Sequence, residues 1–320
     1  MLKNFNIGQI NVKVDTYSSK IFDKILSNCI VENNFINLSD KKIYVLKKTK
    51  IFANDTHNVA YLRKEIKNWT VHIYDSEIKG FIIYCSCENK FVVVGESDYD
   101  CTCLFKATIL KIYSDQFLQN SIAFHASAVE YKNEAYAFLG NGNTGKSTIL
   151  FSFVNSVEDV YILNDDFIMC TKNDDDIFIH SLPLKCAIRK DSLNYLTINS
   201  DQIFINDNYL GNGDQYYIDV EKVFKTKYTT MSKLKYLFFF KTSNATNSIK
   251  LNRVVDKKSI VRLLTINMSS FKIHVDEQVL LNIINSIIEN VRVFELTLPS
   301  NMNGFPKILF EELEEYASNL

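Results

Sequence analysis

Residues Ala137 to Leu150 read Ala-Phe-Leu-Gly-Asn-Gly-Asn-Thr-Gly-Lys-Ser-Thr-Ile-Leu. Within them Gly140, Gly145, Lys146 and Ser147 fill the pattern G-x-x-x-x-G-K-[ST]. Five apolar or aromatic residues precede the loop (Ala135, Tyr136, Ala137, Phe138, Leu139), and a helix-compatible run follows from Thr148 to Phe153. Strand, glycine loop and helix form the context in which this pattern cradles phosphate. Glycine lets the backbone curl without Cβ clashes, so successive N–H groups can face one anion. The following helix presents its positive end to the same place. The chain has only 9 glycines, and Gly140, Gly142 and Gly145 fall within six residues, which argues against a chance cluster. In such a loop Lys146 would reach the β- and γ-phosphates and the Ser147 hydroxyl would ligate Mg²⁺.

Downstream, Val160 to Leu163 is a short apolar strand that runs into Asn164, Asp165 and Asp166. Carboxylates at the end of a buried strand just after such a helix suit Mg²⁺ coordination and a catalytic base. The later run Asp174, Asp175, Asp176 lies between two strand-like segments and reads as a solvated hairpin tip. Upstream, Ser121 to Val129 reads Ser-Ile-Ala-Phe-His-Ala-Ser-Ala-Val, which predicts one buried strand. Lys132 and Asn133 turn it into the strand that feeds the glycine loop. His125 would then lie beside that strand, as a core histidine or as part of a site.

The remaining organisation follows from periodicity. Up to about Gln119 the chain reads mostly as strand, at Ile7–Val14, Lys42–Leu46, Trp69–Tyr74, Gly80–Ser86 and Lys90–Gly95. Helices are expected over Ser19–Cys29 and from near Cys103 to Asp115–Leu118. Gly80 and the Glu88–Asn89 pair are expected in turns. Ser181 to Asp191, with Lys185, Arg189 and Lys190, is either a substrate-contacting segment or an ordinary surface loop. Tyr209 to Asp219 reads as a loop. Leu234–Lys241 and Val291–Leu298 read as strands; Lys257–Leu264, Val275–Val291 and Lys307–Ala317 read as helices, with Asp276 and Glu277 in a first turn. Two units are expected, a β-rich region over residues 1–119 that could recognise substrate or partner, and a catalytic domain over 120–320. Cys85, Cys87, Cys101 and Cys103 form two C-x-C pairs that could hold zinc or remain thiols.

A formal net charge of −1 gives no electrostatic case for nucleic acid or an anionic membrane as partner. No secretory signal and no membrane-length apolar run are visible, so a cytoplasmic location with reduced thiols is expected for the 7 cysteines.

With His125, the glycine loop and Asp165–Asp166 in order, the chain resembles the HPr kinase/phosphorylase-like P-loop family. The strings are HASAV from His125 to Val129, GNGNTGKST from Gly140 to Thr148, and Asp165–Asp166. His125 stands fifteen residues before Gly140, the family's own register. The close resemblance covers about Ser121 to Arg189, and the N-terminal region gives no match. Gly142 stands where the family often has Ser.

The resemblance implies an α/β fold with a mixed-sheet P-loop kinase core. It implies that Gly140, Asn141, Gly142, Asn143, Thr144, Gly145, Lys146, Ser147 and Thr148 bind the phosphates of ATP or GTP. It makes Lys146 the residue that stabilises the transferring group and Ser147 and Asp165 the holders of Mg²⁺. Asp166 becomes the base toward an acceptor hydroxyl, and His125 lies beside the γ-phosphate. The expected activity is a kinase acting on Ser or Thr of a peptide or protein. The chain looks closest to smaller members that phosphorylate precursor peptides or free serine. The signature loop of the bifunctional regulators has no counterpart, so phosphorylase activity is not expected. Family members often form homo-oligomers. The competing reading is a nucleotide-binding regulator, or a peptide-binding module, without transfer activity.

Overall fold

The computed structural model describes residues 2–7, 10–16, 40–47, 61–66, 69–75, 78–88, 90–116, 120–140, 142, 144–182, 184–189, 192, 196, 215–218, 220–224, 226–241, 248–268, 276–299, 302 and 304–318. Two compact units make up the chain, one over Met1–Tyr113 and one formed chiefly by Ser114–Ile205 and Asp214–Leu320. None of the described helices is long and apolar enough to cross a membrane.

The first unit is a seven-stranded sheet. Its strands are β1 (Leu2–Ile7), β2 (Ile10–Thr16), β3 (Asp40–Lys47), β4 (Tyr61–Ile66), β5 (Trp69–Asp75), β6 (Lys79–Cys85) and β7 (Lys90–Gly95), in the order β1-β2-β3-β7-β6-β5-β4. The expected strand Ile7–Val14 is instead a hairpin with Ile7 opposite Ile10. The helix α1 (Asp98–Gln116) starts at Asp98, five residues before the expected Cys103. The reason is a reciprocal cap: the Asp100 N–H donates to Ser97 Oγ at 3.1 Å, and the Ser97 N–H donates to Asp100 Oδ2 at 2.9 Å. Gly80 lies inside β6 rather than in a turn. A Cβ there would sit 2.2 Å from the Val94 carbonyl oxygen and 2.5 Å from Leu104, so close packing, not a turn, demands the glycine. The predicted helix Ser19–Cys29 lies outside the described residues.

The second unit is built on a nine-stranded sheet. It contains β8 (Ser121–Phe124), β9 (Ala126–Tyr131), β10 (Glu134–Leu139), β11 (Val160–Asn164), β12 (Ile168–Asn173), β13 (Asp176–His180), β16 (Met231–Phe240), β17 (Lys250–Arg253) and β18 (Arg292–Thr297). A separate ribbon pairs β14 (Ala187–Arg189) with β15 (Gln215–Tyr217), so part of the expected Tyr209–Asp219 loop is strand. The helices are α2 (Lys146–Ser156), α3 (Val220–Phe224), α4 (Lys257–Ile266), α5 (Glu277–Asn290) and α6 (Phe305–Ser318). Asp276 is the N-cap of α5 rather than a first-turn residue, accepting from the N–H groups of Gln278 and Val279 at 2.8 and 3.4 Å.

The sheet order is β11-β9-β10-β16-β13-β12-β8, with β18 also paired to β16 and β17 to β18. β16 is long enough to hold two partners on one side: β13 along residues 231–233 and β18 along 236–240. β8 and β9 are consecutive in the chain yet occupy distant places in the order, so the sheet curls back on itself. The single strand expected over Ser121–Val129 is therefore two strands meeting at a corner, and His125 is the corner. Its N–H goes to the Asn267 carbonyl at 3.0 Å, and that of Ala126 to the Asp166 carbonyl at 3.2 Å, in place of a continuous ladder. The sheet is mixed: β9 runs antiparallel between β10 and β11.

Alternation divides the core into two layers. Tyr136 and Phe138 of β10 face one way with Tyr236 and Phe238 of β16 and Phe294 of β18, against α2 and α6 residues such as Phe153 and Phe305. Ala135, Ala137 and Leu139 face the other way, with Leu237, Phe239 and residues of α4 and α5 such as Leu264 and Ile283. Register makes the aromatics a ladder: Phe138 stacks on Phe238 at 5.0 Å, and Phe238 on Phe294 at 5.8 Å. Such pairs contribute about 0.5–1.5 kcal/mol each beyond burial, which fixes the register that sets the loop ends above them.

Candidate active site

Register alone brings the sequence-predicted residues to one sheet edge. Leu139, the last residue of β10, pairs with Ala126, the first of β9. Asn164, the last of β11, pairs with Ala128. The chain therefore leaves β10 at Gly140, enters β9 from His125 and leaves β11 at Asp165 within one small region. β16 and β18 are parallel to β10 and end at the same edge. The carboxyl ends of parallel strands are where α/β sheets place their ligands.

The turn out of β10 needs its first glycine because space is short. A Cβ at Gly140 would lie 2.6 Å from both Phe240 Cδ2 and Thr144 Oγ1. Gly145 adopts φ +97°, a left-handed conformation that costs other residues energy. It serves as the N-cap of α2, with no side-chain cap hydrogen bond. A helix opening of that kind can offer its first N–H groups to an anion. A Cβ at Gly142 would meet nothing within 4 Å. Asn141 and Asn143 lie outside the described residues. Thr148 follows on the first turn, its Oγ1 3.0 Å from Ser192 Oγ. α2 begins at Lys146, two residues before the expected Thr148.

Lys146 is buried, with 5% of its surface exposed, and its Nζ donates to the Gly140 carbonyl at 2.9 Å. Burial lowers its pKa, and the charges of Asp166 and Asp165 push back upward. Ser147 Oγ donates to Asp165 Oδ1 at 3.0 Å. Asp165 is 2% exposed, and its second oxygen accepts the Ala187 N–H at 3.4 Å. Desolvation first, then the neighbouring charge of Asp166, raises the Asp165 carboxyl to about 7. Asp166 itself is half-buried at φ +71°, a conformation that Asp and Asn tolerate better than most residues. His125 is half-buried, its ring 5.8 Å from that of Phe167. Desolvation and the Lys146 charge lower it to about 4 against the opposing pull of Asp166, so the imidazole is neutral at pH 7. Lys146 thus feels both carboxylates, and His125 feels Lys146 and Asp166: the four groups share one electrostatic neighbourhood.

Three residues support the site without a role assigned from the sequence. Ser127, fully buried, donates to the Lys146 carbonyl at 3.0 Å and ties β9 to the start of α2. Asn164, also fully buried, accepts the Asp165 N–H at 2.8 Å and donates to the Leu182 carbonyl at 3.4 Å. Ala187 contributes its backbone to Asp165. The signal for the first two is a polar residue inside an apolar strand. The Ser181–Asp191 segment thus reaches the site through backbone, while the Arg189 side chain is exposed. The Asp174–Asp175 pair forms an exposed turn between β12 and β13.

The four cysteines do not form one cluster. Among the described residues, Cys85 and Cys87 gather with Glu88, their ligating atoms within 4.8 Å of one another. Cys101 is buried and donates its thiol to the Leu46 carbonyl at 3.4 Å.

The donor set fits a hard cation: an oxygen from Ser147 and one from Asp165 adjoin each other, with no sulfur or imidazole between them. The cradle fits a phosphate, since the two tight glycines and a buried lysine surround one turn.

No family model matches the chain, and no curated protein matches it. Among solved structures, the HPr(Ser) kinase/phosphatase from Coxiella burnetii aligns over 62% of this chain and 99% of its own length, at 11% identity and a TM-score of 0.34. Similarity at that level bears on neither activity nor site.

Proposed function

We propose that the chain is a Mg²⁺-dependent kinase that moves the γ-phosphoryl group of ATP or GTP onto a hydroxyl, that of Ser or Thr in a peptide or protein. The observation that carries the reading is the arrival of Lys146, the Ser147–Asp165 pair, Asp166 and His125 at one sheet edge, around a glycine turn that opens a helix. Gly140 to Thr148 would hold the nucleotide phosphates, with Lys146 offsetting charge on the transferring group. Ser147 and Asp165 would hold Mg²⁺, which supplies charge neutralisation to the phosphates. Asp166, less buried than Asp165, would act as the base toward the acceptor hydroxyl. Its carboxylate takes the hydroxyl proton as the oxygen bonds to the γ-phosphorus; the bond to the bridging β–γ oxygen breaks and the nucleoside diphosphate leaves. Neutral His125 can orient an oxygen by hydrogen bonding without adding charge. The first unit is proposed as the element that recognises the peptide or partner.

The test is labelling of a Ser/Thr-randomised peptide library with γ-labelled ATP and Mg²⁺, wild type against Asp166→Asn. Labelling that depends on the wild-type carboxylate supports the kinase. Nucleotide binding with no transfer would leave a regulator in its place.

A further inference from the structure

The hairpin between β6 and β7 holds a second set of ligating atoms that the proposed kinase does not use. Cys85 is the last residue of β6, its Cα partner is Lys90 on β7, and the 3-10 turn Ser86–Glu88 folds back between them. That turn brings Cys85 Sγ and Cys87 Sγ to 3.2 Å. The two sulfurs and a Glu88 carboxylate oxygen all lie within 4.8 Å of one another. Cys85 is 1% exposed, whereas Cys87 and Glu88 are exposed, so the cluster has a buried and a solvent side.

We infer that Cys85, Cys87 and Glu88 form an exchangeable site for a thiophilic divalent cation of the Zn²⁺ class. Zinc bonds thiolate sulfur at about 2.3 Å, which at a tetrahedral angle sets two sulfurs about 3.8 Å apart. The observed pair therefore needs to open by about half an ångström, a movement that an exposed Cys87 side chain can supply. On binding, both S–H bonds release their protons, two metal–sulfur bonds form, and Glu88 exchanges its ion pair with Lys90 for the cation. Three protein ligands leave a fourth position open, as in sites that exchange metal or bind a further group rather than closed structural ones. Cys101 and Cys103, the other C-x-C pair, lie outside the cluster.

The experiment uses the full chain, reduced and metal-free, titrated with Co²⁺ and then Zn²⁺. Thiolate-to-cobalt charge-transfer absorption reports sulfur ligation, and a chromophoric chelator reports affinity by competition. One equivalent is expected, with Cys87→Ser losing the charge-transfer band. Glu88→Gln weakens binding by about tenfold or more. Lys90→Ala tightens it by up to about fivefold, because Glu88 loses its competing partner. Cys103→Ser leaves affinity unchanged. No charge-transfer band in the wild type, or equal loss in Cys103→Ser and Cys87→Ser, would overturn the assignment. Circular dichroism of each variant separates loss of a ligand from loss of fold, and Lys90→Ala tests the site without removing a ligand.

Discussion

Replacing Asp165 by Asn should make the metal-free protein more stable at pH 8 and leave it nearly unchanged at pH 4. The carboxyl is buried beside the charge of Asp166, and its pKa rises from 3.8 to about 7. A group whose pKa is raised by folding is more protonated in the folded state, so stability is fully present below the unfolded value and declines as pH rises toward 7. The full shift corresponds to an upper bound of about 4 kcal/mol. The coupling to Asp166 and relaxation of the site reduce that, and about 1–3 kcal/mol is the gain expected from removing the charge at pH 8. Asn can keep both hydrogen bonds, its oxygen toward the Ala187 N–H and its amide toward the Ser147 hydroxyl, which rotates to accept. At about 2–4 °C per kcal/mol, the variant's melting temperature should exceed the wild type's by several degrees at pH 8. Thermal denaturation followed by circular dichroism, at pH 4 and pH 8 without divalent cations, reads this directly. Mg²⁺ should then stabilise the wild type and not the variant. An equal melting difference at both pH values would refute the reasoning, because the effect would be packing rather than charge.

Other substitutions probe the same edge. Gly140→Ala should cost about 1–3 kcal/mol in urea denaturation, since its Cβ would strike Phe240 and Thr144, whereas Gly142→Ala should stay within about 0.5 kcal/mol. Lys146→Met should lower phosphoryl transfer by about 10²–10³-fold in a steady-state assay with labelled nucleotide, the fold remaining intact by circular dichroism. Ser127→Ala removes the hydroxyl that holds the Lys146 carbonyl and should lower stability by about 1 kcal/mol by chemical denaturation.

The strand–loop–helix around Gly140 and the short strand ending at Asp165 were legible because each is local: apolar runs, glycines and a hydroxyl at fixed spacing. The helix α5 was legible for the same reason, its stripe Ile283, Ile284 and Ile287 being buried. The corner at His125 was not. Ser121–Val129 carries no Gly, Pro or turn pair, so no residue marks a break; the curl of the sheet and the carbonyl groups of Asn267 and Asp166 make it. The start of α1 lies ahead of the periodic apolar pattern that marks this helix, although Ser97 and Asp100 spell a cap. The role of Gly80 has no local signature, because its close approach to β7 is a tertiary contact. Ser127 lies within the HASAV string and Asn164 directly before the Asp pair, yet the supporting role of each exists only once β9, α2 and β11 adjoin.

The most direct measurement is transfer of labelled γ-phosphoryl from ATP to Ser/Thr peptides by wild type and Asp166→Asn side by side. Asn suits the left-handed backbone at this position, so the substitution removes a charge without disturbing the turn. A fall of about 10²–10⁴-fold in transfer with unchanged nucleotide affinity is the result expected of a lost base. Undiminished transfer by the variant would contradict it.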